Sequence, residues 1–226
     1  MNLNSVYNKL EKLKNTRDFS VLDEIMKEIE TEIITNGKTD KGITNAWKRF
    51  LKDTEIRAVF HQVFKSQAGN YVACNGYFAI DYGTDKNNVP RELQAYIETL
   101  EGDYKVPNID YEHIKLNETE GIKEYEINVA DVEKLHKWNK LNKKKIPFRV
   151  QNKYINGDYL LDILSLMGLR KNNKITVRMT DSNIAPMEIL TDNIKSILLP
   201  INIDSTTSGK EHTDKILNEL GIQWEV

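Results

Sequence analysis

The side chains best suited to proton transfer in this chain are Asp81, Asp110 and Asp181, together with His61, His113 and His136. General acid–base work needs such groups held together and tuned against each other. Their spacing here forms no recognisable catalytic pattern. The chain has no phosphate-cradling glycine loop, dinucleotide-binding glycine set or nucleophile elbow. The four histidines are isolated, which favours surface or core roles over metal ligation. Cys74 is the only cysteine, and its apolar strand setting favours packing over a reactive thiol. The expectation is a protein that is not an enzyme and holds no metal or cofactor.

Phosphate contact is the other chemistry within reach. Residues 134–149 carry seven Lys/Arg and no acid: Lys134, Lys137, Lys140, Lys143, Lys144, Lys145 and Arg149. Such a run reads either as a solvated helix end and loop or as a surface facing phosphates. On spacing alone the solvated reading leads. The net charge of −2 adds no global argument for nucleic acid.

These residues need elements to position them. At 226 residues, 39% apolar and 29% charged, the chain suits an α+β protein with an ordinary core. No apolar run approaches the ~20 residues that cross a bilayer, and the start lacks a signal-peptide stretch. With one cysteine, a reducing cytoplasmic home is the default expectation. Val21, Leu22, Ile25, Ile29 and Ile33 form the stripe of an amphipathic helix. A second helix is expected over 43–51, with Thr44 as its cap and Lys48, Arg49 and Lys52 on its exposed side. Strand-like runs at 58–67 and 70–83 suggest a hairpin, with a further turn or bulge at Asn75-Gly76. Pro90 fits the first turn of a helix over 91–100. Short strands are expected at 104–109, 113–116 and 124–129.

A helix follows at 129–141, burying Val129, Val132, Leu135 and Trp138. Next come a strand at 146–151, a turn at Asn156-Gly157 with Asp158 as helix cap, and a Leu-rich helix ending near Gly168. Strands at 174–180, 187–192 and 194–203 complete the pattern. Residues 204–212 read as a linker before a last helix at 213–222.

The order from 150 to 203 resembles the last motif of the bacterial DNA sliding clamp (replicase beta-subunit) family. Tyr159, Leu160, Leu161, Asp162 and Leu164 match that motif's helix. Thr180, Asp181 and Pro186 match its turn, and Leu199, Pro200 and Ile201 its final strand, with Leu199 replacing Met. Upstream, Ala73-Cys74-Asn75-Gly76-Tyr77-Phe78-Ala79 resembles the family's hairpin segment, with Phe78 in place of Arg.

The resemblance implies a DNA-clamp-like α+β fold, an antiparallel sheet backed by helices, with a helical N-terminal segment at 1–52. Clamp-like halves would span 53–128 and 129–203, followed by a C-terminal extension at 204–226. It further implies a non-catalytic replication, processivity or partner-docking factor, of phage or mobile-element type. Duplex DNA, a polymerase or other replication protein, and further copies of the chain are the implied partners. The ten basic residues named above, Lys48, Arg49, Lys52 and the seven at 134–149, would face DNA. A partner-peptide cleft would use Gly76, Tyr77, Phe78, Leu198, Leu199, Pro200 and Ile201. The alternative is a clamp-fold interaction protein that binds a replication protein without encircling DNA.

Overall fold

The computed structural model describes residues 40–53, 60–99, 109–116, 121–169, 174–201, 203 and 207–222. The stripe at 21–33 and all but the last residue of the 104–109 strand expectation lie outside the described residues.

Helix α1 spans Lys41–Asp53. Ile43, Ala46, Trp47 and Phe50 recur at three- and four-residue steps and are buried. Its start is held by Asp40, not Thr44: the Asp40 carboxylate accepts from Gly42 N–H (2.8 Å), and its carbonyl accepts from Thr44 N–H (3.0 Å). Strands β1 (Phe64–Lys65), β2 (Tyr71–Cys74) and β3 (Phe78–Asp81) form an antiparallel meander. Asn75-Gly76 makes the β2–β3 turn. The Asn75 Oδ1 accepts from Tyr77 N–H (2.9 Å) and Phe78 N–H (3.0 Å), while Gly76 sits at φ +89°, where a side chain is strained.

Past β3 the expected helix at 91–100 is a tighter 3-10 turn over Arg91–Tyr96. Residues 113–116, expected as strand, instead contribute to a one-turn helix, α2, at Tyr111–Ile114. The single-sided apolar pattern there was too short to separate the two periods.

Strand β4 (Lys123–Asn128) leads directly into α3 (Val129–Asn142). Val129, Val132 and Leu135 are buried as expected; Trp138 is half-buried and Asn139 takes the next inward position. Strands β5 (Phe148–Val150) and β6 (Lys153–Ile155) form a separate hairpin. Helix α4 (Gly157–Leu166) is capped by Asn156, whose Oδ1 accepts from Asp158 N–H (2.9 Å); Asp158 itself lies inside the first turn. The helix stops at Gly168 (φ +74°), and Leu169 N–H returns to the Leu164 carbonyl (2.8 Å). Strands β7 (Lys174–Met179), β8 (Met187–Leu190) and β9 (Lys195–Leu198) complete the sheet. The last helix, α5, begins at Thr207 and runs to Glu219, so it replaces much of the expected 204–212 linker.

Among the described residues, the main sheet has seven strands in the order β1-β2-β3-β9-β8-β7-β4, and every adjacent pair is antiparallel. The fold is therefore α+β, an antiparallel sheet backed by helices. Alternation divides its faces. Ile80, Val177, Met187, Ile189 and Leu198 meet the buried sides of α1, α3 and α4 in one core, joined by Ile216 and Leu217 of α5. On the opposite face, Val72, Cys74 and Ala79 form a smaller cluster with Phe60 and Phe64, against which Ile109 and Ile114 pack.

Candidate docking groove and basic surface

The two stretches that carry the clamp resemblance become neighbours. Strand β3 pairs with β9, setting Phe78 opposite Leu198 and Ala79 opposite Ile197. The contact continues past the strands, where Leu199 N–H donates to the Tyr77 carbonyl (3.0 Å). Phe78 and Leu198 turn their side chains into the core. The Phe78 ring lies 5.7 Å from Phe50 and 5.8 Å from Tyr159. Tyr77 stacks on Tyr159 at 5.3 Å and stays 54% exposed, and Leu199 is 43% exposed.

Beside this pairing lies a groove of about 300 Å³, bordered by Cys74, Gly76, Tyr77, Leu199, Ile109 and Ile114. Among the described residues no charged side chain lines it, so it suits aliphatic or aromatic groups. The far end of the expected cleft does not join it. Pro200 and Ile201 turn to a second concavity of about 360 Å³ with Tyr154, Asn183 and Ile184, where Ile201 N–H donates to the Tyr154 carbonyl (2.8 Å). The seven cleft residues thus serve two concavities and the core.

The wall made by Ile109 and Ile114 was not read from the sequence, because the segment carrying it is short and irregular. Polar contacts hold it to the sheet. Tyr111 N–H donates to Asp81 (2.9 Å), Leu116 N–H donates to Glu188 (2.6 Å), and Lys195 sits 4.4 Å above the Tyr111 ring. Burial and then the adjacent Glu188 carboxylate push the Tyr111 hydroxyl up to about 12. Burial also raises the Tyr82 hydroxyl.

The acid–base candidates are engaged in similar structural roles. Asp81 also accepts from Asn70 (2.9 Å) and Gly83 N–H (2.7 Å), and Asp110 accepts from Ser66 (3.2 Å). Asp181 pairs with Lys123 (2.8 Å), and His136 Nδ1 lies 2.7 Å from Asp158. His61 is half-buried, and the His113 side chain falls outside the description. Among the described residues, no three metal-ligating side chains gather.

The basic residues separate into two groups. Arg49 is ion-paired with buried Asp162, through Nε at 2.8 Å and through a second guanidinium nitrogen. Arg149 pairs with Asp214 of α5, donates to the Gln151 carbonyl (2.6 Å) and lies 5.2 Å from the Tyr154 ring. Lys134 donates to the Leu220 carbonyl at the end of α5. These three cations serve packing between elements.

Lys137, Lys140, Lys143, Lys144 and Lys145 are exposed, and none has a carboxylate partner among the described residues. Asn139 fixes their loop: its Nδ2 donates to the Ile146 carbonyl (2.8 Å) and its Oδ1 accepts from Ile146 N–H (3.0 Å). Lys143 takes a left-handed C-cap at φ +50°. Five positive charges therefore cluster at the C-terminal end of α3, the end a helix dipole favours for cations. Lys48 and Lys52 are exposed on α1, which packs on α4, and α4 in turn packs on α3.

No family model and no curated protein matches this chain. Among solved structures, a crystal structure of the C. crescentus beta sliding clamp is similar over 71% of this chain, at 12% sequence identity and a TM-score of 0.40. The alignment takes in 64% of that clamp chain, so this protein spans less than two thirds of its length. No described helix is long and apolar enough to cross a membrane.

Proposed function

We propose that this chain is a non-catalytic, clamp-like docking protein that receives an apolar peptide segment of a replication protein in the groove beside Tyr77 and Leu199. The observation carrying this reading is the direct pairing of β3 with β9. It joins the two sequence stretches that resemble clamp motifs and leaves Tyr77 and Leu199 half-exposed on one rim. Aromatic and aliphatic side chains left exposed around a concavity mark a partner site.

The test is titration of a labelled peptide with adjacent Leu and Phe anchors against the intact chain and its Leu199→Ser variant. Leu199 is too exposed for the change to unfold the protein. Loss of roughly tenfold or more in affinity, with an unchanged melting temperature, is the expected result. Equal affinity in both proteins rejects the groove.

The five exposed lysines support a second reading, in which the α3 end lies against duplex DNA phosphates without reading sequence. Light scattering and DNA titration separate a ring from a non-encircling binder. A ring former is a multimer with salt-sensitive DNA affinity, and a monomer without DNA affinity leaves the docking role alone.

A further inference from the structure

The main sheet has two edges, and they differ. Strand β1 is two residues long, and the residue just before it, Val63, is bonded to another segment. There Val63 N–H donates to the Tyr96 carbonyl (2.9 Å), and Glu98 N–H donates to the Val63 carbonyl (3.0 Å). At the other edge, β4 runs six residues with β7 on one side only. No described residue pairs with its outer side. Unpaired edges expose a row of backbone donors and acceptors, and proteins usually guard them with proline, a bulge or outward charge. Strand β4 has no proline, and its register with β7 runs unbroken from Lys123↔Met179 to Asn128↔Lys174. Its charged side chains each have one contact within the fold, Lys123 with Asp181 (2.8 Å), Glu124 with Arg178 (3.6 Å) and Glu126 with Lys174 (3.2 Å), while both glutamates stay more than half exposed and open to a further cation.

The side chains of β4 divide by face. Lys123, Tyr125 and Ile127 share the helix side, where Ile127 enters the core, while Glu124, Glu126 and Asn128 share the other. That division selects the occupant. A two-fold axis joining β4 to a second β4 keeps each face on its own side, which sets the Glu124/Glu126 row against itself. A head-to-tail copy needs the β1 edge, which is only two residues long and has residues 96–98 bonded to Val63 beside it, too little to match six-residue β4. We propose that β4 receives an extended segment of a different protein. Its alternate residues are Lys or Arg on the glutamate face and apolar beside Tyr125 and Ile127. This surface lies outside the groove proposed above and does not depend on it.

Three labelled peptides test this against the intact chain: Thr-Lys-Val-Lys-Val-Lys-Thr, its glutamate counterpart, and a version with proline at both valines. The expected order is basic peptide tightest, by about tenfold over the acidic one, with the proline version unable to complete the ladder. Amide hydrogen exchange at 123–128 should slow only with the basic peptide. In Glu124→Lys/Glu126→Lys the preference should reverse; both glutamates are exposed, so the fold tolerates the change. Equal binding of the valine and proline peptides would mean plain charge attraction and overturns the proposal. Unchanged exchange at 123–128 overturns it too, as does a dimer in light scattering that is lost in Glu124→Pro.

Discussion

Asp162 shows how one side chain can carry a motif for structural reasons. It lies within the Tyr-Leu-Leu-Asp stretch of α4, is 2% exposed, and anchors Arg49 across the α1–α4 contact. Breaking a buried ion pair costs about 3–5 kcal/mol when the remaining charge is trapped. Arg49 is 43% exposed and can turn to water. Asp162→Ala should therefore cost only about 1–2 kcal/mol, read as a lower denaturant midpoint with unchanged slope. Tyr111 supplies a second residue-scale prediction. Its hydroxyl is raised in the folded state, so the neutral form is favoured there and unfolding releases a proton in alkaline solution. Stability is then full below the ordinary tyrosine value near 10 and is lost as pH rises toward about 12. Chemical denaturation across that range checks the sign, and Tyr111→Phe should flatten part of the fall.

At the scale of elements, what the sequence made legible follows length and periodicity. Helices α3 and α4 and strands β5, β7, β8 and β9 were readable because their apolar spacing separates a 3.6 period from a 2.0 period, whereas the three-residue β6, a hairpin partner of β5, was not expected. The one-turn α2 was not, since four residues with Ile114 facing inward satisfy either period. Caps were misplaced by a residue or more: Asn156 acts where Asp158 was expected, and Asp40 where Thr44 was. Both alternatives are good caps, and only backbone geometry chooses between them. Within the candidate site, Tyr77 and Leu199 were visible through family resemblance, but Ile109 and Ile114 depended on a tertiary fold-back with no local signal. The engagement of Arg49 and Arg149 was equally hidden, since their partners lie 113 and 65 residues away. Asn139 gives the element-scale prediction. Asn139→Ala leaves both polar groups of Ile146 unpaired in a buried place, costing about 1–3 kcal/mol. Faster amide exchange at Ile146, with α4 protection intact, is the expected signature.

For the molecule as a whole, charge distribution matters more than net charge. A chain at −2 overall places five exposed lysines at one end of α3 and a pair of exposed glutamates on the β4 edge of the sheet. If duplex DNA meets the lysine end, Lys143→Ala/Lys144→Ala/Lys145→Ala should lower the slope of log affinity against log salt by about 3. Sequence preference should not change, and an unaltered slope removes these residues from the interface. The β3–β9 pairing has a consequence in time as well as in space. Its partners are about 120 residues apart, and closing so long a loop comes late in folding. A chain still on the ribosome lacks the rim at Leu199 until β9 and the residues just after it have emerged. The proposed docking surface would therefore report on synthesis: a partner that recognises it engages only molecules in which β9 has already been made.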